Sequence, residues 1–311
     1  MQTLQPHWSQ TSARLLNECP RAWALTYRPN LPSAPFTNHA PTYSQTRPRT
    51  FDEALVQATR TTWLERINDQ FLAKVWSTKF AKQRLKANLK QTMEDCSMKV
   101  PHAHETIGSM GALNQLRALE RTIALHPLFS GQPRRWSYFD RRLPANLNSL
   151  QLYAAPDVAI FHQNKWTLIR LQFRSGSQAG IQHQLEHLLM VHWAMRQPGF
   201  PDDMNAYRVR VVRWRHRSWI EHNVVITQQH LDQALALVHH DVQEMKWIWR
   251  SATSDSSLAT VALANNERAC KRCRWRPSCP AVHGLQRAKE EQERYLETLT
   301  HNEATKSAST A

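Results

Sequence analysis

Hydrophobic and polar positions follow two periods along this chain. Residues 8–28 show helical spacing, with Ser9 or Thr11 as the cap and Pro20, directly after Cys19, as an interruption. Residues 29–50 carry Pro29, Pro32, Pro35, Pro41 and Pro48 among polar neighbours and read as a loop or insertion. Phe51 to Val100 contains neither Gly nor Pro. There Trp63, Ile67 and Phe71 recur at four-residue spacing, with Leu64 and Val75 nearby, which predicts one or two long amphipathic helices. Another helix is predicted over 105–126, ending before Pro127.

The pattern then shortens. Trp136–Leu143, Leu150–Phe161 and Lys165–Phe173 are short, apolar and aromatic, with His162-Gln163-Asn164 as a hairpin turn between the last two. Gln178–Arg196 returns to helical spacing through Leu185, Leu188, Leu189 and Trp193. Tyr207–Trp214 and Trp219–Ile226 read as a strand pair, and Gln228–Arg250 as a helix. A polar link covers 251–266. His283–Leu299 reads as a charged helix with Lys289/Glu293 and Glu290/Arg294 pairs, and the last ten residues as a disordered tail. The order of helices and strands suits an α/β fold, a mixed sheet with helices against it. No internal repeat interrupts it, and no linker separates the strand groups.

Charge narrows the class of partner. Lys and Arg number 40 against 25 Asp and Glu, a net +15 with histidines neutral. Such a chain suits a polyanion, nucleic acid first and an acidic membrane surface second, although solubility alone also accounts for charge. At 41% hydrophobic residues with twelve tryptophans, the chain is not wholly disordered. No apolar run approaches the ~18 residues of a membrane helix, and the N-terminus lacks a signal pattern, so a cytoplasmic protein without membrane contact is expected.

Of five cysteines, three form Cys270-x2-Cys273-x5-Cys279-Pro280. An odd number without a secretion signal argues against a disulfide framework. Thiolates at this spacing converge on one metal, and Cys19, in its own Cys-Pro step, is the natural fourth. Neighbouring arginines and lysines are expected to lower the thiol pKa values. Spacing alone leaves zinc and iron–sulfur equally open, beside unrelated free thiols. A bond from Cys19 to the cluster would close a loop of about 250 residues, worth roughly 5 kcal/mol in the chain-entropy model. Cys96 reads as an ordinary thiol.

The helix Glu18-Cys19-Pro20-Arg21-Ala22-Trp23 together with the terminal C-x2-C-x5-C-P resembles the iron–sulfur branch of the RecB-like nucleases, within the PD-(D/E)XK superfamily. CRISPR-associated RecB-like and AddB-type exonucleases belong to that branch. The resemblance runs from about Ser9 to Pro280. It implies a restriction-endonuclease-like domain over 1–284, with a Pro-rich loop at 29–50, a helical insertion at 51–126 and a cysteine cluster at 265–284; 285–311 would be a charged helix and tail. It also implies a [4Fe–4S] cluster on Cys19, Cys270, Cys273 and Cys279 that clasps the two ends of the domain.

The resemblance further implies a catalytic motif on adjacent strands, where two carboxylates bind Mg2+ or Mn2+ and a lysine stabilises developing charge. Pro156-Asp157 supplies the first half. In the second half Gln172 stands where a carboxylate belongs and Arg174 where a lysine belongs. Gln is a weak ligand for a hard dication, and Arg does not act as a base. Gln184 keeps the glutamine of a family helix motif whose tyrosine is lost, and Gln57 is the match for a missing histidine. The expectation is a DNA-binding domain with weak or lost nuclease activity. The alternative is an active metal-dependent exonuclease or endonuclease of repair, recombination or CRISPR adaptation, with Glu186 moved into the metal site. Single strands or DNA ends, and a helicase or integrase-like protein, are the expected partners.

Several other features compete. His183-Gln184-Leu185-Glu186-His187 matches the inverted zinc-protease motif H-x-x-E-H, without a downstream acidic ligand. His102, His104, His239 and His240 read as surface residues. Arg208, Arg210, Arg213, Arg215 and Arg217 interleave with Trp214 and Trp219; they read as a phosphate-tracking surface or as a charged edge strand that blocks aggregation. Arg208 and Arg210 are expected on one face and Arg213, Arg215 and Arg217 on the other. Arg21, Arg272, Arg274, Trp275 and Arg276 would add a basic surface beside the cysteines.

Overall fold

The computed structural model describes residues 7–27, 50–133, 135–148, 150–174, 181–255, 257–271 and 273–309. The Pro-rich segment 29–49, Ser175-Gly176 and Arg272 lie outside these. The chain forms two compact units, Met1–Pro41 with Leu147–Leu152 and Ala236–Ala311, and Thr42–Asn146 with Tyr153–Leu235.

The first unit opens with β1 (His7–Ser9), α1 (Gln10–Glu18) and α2 (Pro20–Tyr27). Ser9 caps α1 by accepting the Ser12 N–H. Pro20 divides the predicted helix as expected. Cys19 before it takes an extended backbone, and the proline starts α2 where its missing N–H costs nothing. The strand at β1 was not visible in the pattern, being three residues long. Trp8 and Asp241 are both buried, and the indole N–H donates to the carboxylate at 2.8 Å. The Trp23 indole donates to Ser12 Oγ at 2.8 Å.

The second unit carries the longer elements: α3 (Phe51–Phe71), α4 (Thr78–Asp95), α5 (His102–Glu120), the short α6 (His126–Phe129), β2 (Arg135–Tyr138) and β3 (Ala145–Leu147). The predicted strand 150–161 is two strands, β4 (Leu150–Tyr153), which hydrogen-bonds to β1, and β5 (Val158–His162). Pro156 lacks a ladder donor, so pairing stops there and resumes after Asp157. β6 (Lys165–Gln172), α7 (Ile181–Ala194), β7 (Tyr207–Arg215) and β8 (Ser218–Val224) follow. A five-stranded mixed sheet results in the order β2-β5-β6-β7-β8, antiparallel throughout except for the parallel pair β6/β7. The β6/β7 crossover contains α7, as parallel pairing requires.

Residues of β5 and β6 face alternately up and down. Val158, Ile160, Ile169, Leu171 and Phe173 join one core with Ala54, Ala58, Trp63 and Ile67 of α3, Leu85 and Leu89 of α4, and Leu116 and Leu119 of α5. The intervening residues Arg170 and Gln172 occupy the other face. α5 approaches α3 closely at Gly108, where an added Cβ would stand 2.7 Å from the Phe51 ring. Both two-residue turns of the sheet, Gln163-Asn164 and His216-Arg217, have positive φ at each position, as hairpin twist demands.

Beyond these, α8 (Gln228–Ser254) leads into α9 (Glu267–Lys271) and α10 (Leu285–Ser309). α10 extends to Ser309, past the point where a disordered tail is expected. Its Glu, Ala and Lys are good helix formers, which explains the extension. A mixed sheet flanked by helices fits the restriction-endonuclease-like class. None of the described helices is long and apolar enough to cross a membrane.

Candidate functional site

Asp157 sits at the start of β5 beside the end of β6, where the Pro-Asp motif places it. Its side chain is nine-tenths buried and fully engaged. Arg141, from the loop after β2, donates Nε to Oδ1 at 2.6 Å and Nη2 to Oδ2 at 2.7 Å. The Leu171 N–H donates to Oδ2 at 2.7 Å, and Arg141 Nη2 also donates to the Leu171 carbonyl at 2.6 Å. Arg170 Nη1 lies 3.7 Å from Oδ2, and its Nη2 donates to the Ala154 carbonyl at 3.3 Å. A bidentate guanidinium and a backbone donor form a charge-assisted clamp.

Burial pushes the Asp157 carboxyl up. The charges of Arg141 and then Arg170, with the hydrogen bonds from Arg141 and the Leu171 N–H, outweigh it and hold the group at about 2. Arg170 is pulled down by burial first and by Arg141 second, and it remains charged at neutral pH. Arg60 is also lowered, chiefly by Arg141 and then by burial. Three arginines thus converge on one carboxylate.

Gln172, at the end of β6, is half-buried, and its Nε2 lies 3.4 Å from Nε2 of buried His187 on α7. Arg174 is exposed just after the strand, and Gln184 is exposed on α7. Of the four motif positions, the structure joins Asp157 and Gln172 on one sheet face and leaves Arg174 and Gln184 at the surface. Glu186 and His187 are buried, His183 is half-buried, and Gln57 is half-buried on α3. Both Asp157 oxygens are taken, and among the described residues no group of three His, Cys, Asp or Glu side chains is arranged to hold a metal. The residues at Asp157 therefore do not fit Mg2+ or Mn2+, and the H-x-x-E-H helix is no zinc site. The sequence reading missed Arg141 and Arg170. Arg170 left a signal, a charge between Ile169 and Leu171 in an apolar strand, which requires a buried partner; Arg141 left none.

In the first unit, Cys270 is buried in an apolar cluster with Leu263, Ala264, Ala281, Leu285 and Ala288, and Cys19 and Cys279 pack against it. Cys19 Sγ accepts the Ala22 N–H at 3.3 Å. The expected lowering of the thiol pKa values is reversed here. Burial pushes Cys19 up to about 11, and the charges of Cys273, Cys279 and Cys270 add to the rise. Cys270 rises by burial first and by Glu267 second. The four thiols thus influence one another, though they are not in a ligand arrangement. Four thiols without a carboxylate suit a sulfur-ligated group. Cys96 is half-buried at the end of α4; His102, His104, His239 and His240 are exposed.

The basic residues divide. Arg21 donates to the carbonyls of Leu258 at 2.5 Å and Ser257 at 2.7 Å, so it holds the loop after α8. Arg274 lies over the Trp275 ring at 4.7 Å, and both donate to Thr26 Oγ1 at 3.2 Å. On β7, Arg210 donates to Asn223 and lies 3.5 Å from Glu221, Arg213 contacts His222, and exposed Arg208 reaches Gln163. Arg215 is half-buried. Arg217 lies in the turn rather than on the face with Arg213 and Arg215, because the two-residue hairpin consumes it. Trp219 donates its indole N–H to the Gln115 carbonyl and packs on the core, so it is not a free stacking platform.

Comparison with known proteins adds the following. The PD-(D/E)XK nuclease superfamily matches residues 7–280. No curated protein matches the chain. A solved chain entitled "Crystal structure of SSO0001" is similar at 13% identity and a TM-score of 0.30, covering 73% of this chain and 84% of that one.

Proposed function

Since this chain belongs to the PD-(D/E)XK nuclease superfamily, we propose that it binds DNA through that fold with weak or lost phosphodiester hydrolysis. The observation that carries the reading is the occupation of Asp157 by Arg141, with Gln172 at the second motif position. A superfamily site needs carboxylate oxygens open to a dication. Here the guanidinium supplies the neutralising charge instead. The net +15 and the exposed Arg208 and Arg217 of the β7–β8 hairpin support a phosphate-bearing partner.

The proposal includes an iron–sulfur cluster on Cys19, Cys270, Cys273 and Cys279, supported by the gathering of these thiols in one apolar pocket. When bound, such a cluster supplies a covalent cross-link within the first unit. It also includes a cytoplasmic setting and a partner protein that acts on the DNA this chain holds.

Labelled single- and double-stranded DNA incubated with anaerobically purified protein and Mg2+ or Mn2+ tests this. Retention of the DNA without cleavage is expected, and Asp157→Ala should leave the cleavage baseline unmoved. Metal-dependent cleavage that Asp157→Ala abolishes would overturn it.

A further inference from the structure

The second unit holds a cleft of about 330 Å3 between α4 and α5, away from Asp157. Leu85, Met110 and Leu113 give it an apolar floor, and Lys82, Lys86 and Arg117 surround it. These three cations are exposed, and among the described residues none has a carboxylate partner. The neighbouring helix cations do: Lys90 lies 3.8 Å from Glu94, and Arg84 lies 2.6 Å from Glu65. The charge around the cleft is therefore left for something else.

A second observation points the same way. Ser109 lines the cleft and is only 6% exposed, yet its hydroxyl has no hydrogen-bond partner. A helical serine commonly satisfies itself on the carbonyl one turn back, as Thr59 and Thr62 do on α3. A buried hydroxyl left unsatisfied costs ~1–3 kcal/mol, so an oxygen from a ligand would relieve it. Cations beside an apolar floor with a buried hydroxyl form a site for an anion that carries a flat apolar body.

We propose that the α4–α5 cleft binds a nucleotide unit, its phosphate on Lys82, Lys86 and Arg117, its base on Leu85, Met110 and Leu113, with Ser109 bonding a polar atom between them. The inference deepens the DNA-binding reading by placing one nucleotide at a defined cleft. The same chemistry belongs to a free mononucleotide and to a unit within a single strand.

Anisotropy of labelled (dT)12 across a salt series, and calorimetric titration with dTMP, test it on the full chain. Wild type is compared with Lys82→Gln/Lys86→Gln/Arg117→Gln and with Ser109→Ala, which keeps every charge. The triple variant should bind (dT)12 at least ~10-fold more weakly, with a salt slope smaller by about 2, at ~0.7 for each lost phosphate contact. Ser109→Ala should weaken binding roughly fivefold without changing the slope. Uptake of dTMP that the triple variant loses assigns the cleft to free nucleotide as well as to the strand. Variants that match wild type while wild type binds (dT)12 overturn the cleft and leave the DNA reading intact. Binding of dTMP alone upholds the cleft and overturns the DNA reading, and binding of neither overturns both.

Discussion

Asp157 is the residue on which sequence and structure meet. Its folded pKa of about 2 lies below the model value of 3.8. A depressed carboxyl contributes stability above its unfolded pKa, and that stability is lost as pH falls through the folded value. The clamp therefore contributes on the order of 2 kcal/mol at neutral pH, falling away between pH ~4 and ~2. Denaturant unfolding of wild type and Asp157→Asn across that window should show the gap between them close as the pH drops; a constant gap contradicts the ion pair. Arg141→Ala should destabilise by about 3 kcal/mol or less, because Arg170 remains nearby and the Arg141 side chain is itself 31% exposed. Adding Asp157→Asn to Arg141→Ala should recover part of the loss, since no buried carboxylate is then left exposed to burial alone. The Pro-Asp step was legible because it is a local motif. Arg141, 16 residues away in the chain, was not, because only tertiary structure chooses its partner.

At the level of elements, periodicity located α3, α4, α5, α7 and the β5–β8 strands, since each buries one face over several turns or alternations. It joined β4 to β5 because both are apolar and only Pro156 lies at the break. It also missed β1 and β3, which at three residues each have no period to detect. The close contact of α3 and α5 was equally hidden, because a helical glycine looks merely unfavourable in sequence. Gly108→Val should shift Phe51 and cost about 1–3 kcal/mol, as overpacking does. Gly108→Val/Phe51→Leu should regain much of this in the same thermal melt. A Gly108→Val protein as stable as wild type would mean that the α3–α5 contact is loose.

For the whole molecule, net charge and thiols give the readable quantities. Purified anaerobically, the protein should contain iron and acid-labile sulfide in equal amounts, both lost in Cys279→Ser; zinc without sulfide would reassign the thiols. Loss of the cross-link should cost on the order of 2–5 kcal/mol, visible as a lower unfolding midpoint. The cysteine spacing was legible, whereas the rise of Cys19 to about 11 was not, because burial is a property of the folded pocket. The Asp157 clamp also bears on how this protein can change. Gln172→Glu alone adds a second carboxylate while Arg141 still holds the first. Removing Arg141 alone frees an acid that has no second carboxylate to share a dication, at a cost in stability. Neither single step yields a working metal site, so the clamp behaves as a ratchet: a route back to hydrolysis crosses a less fit intermediate whichever substitution comes first.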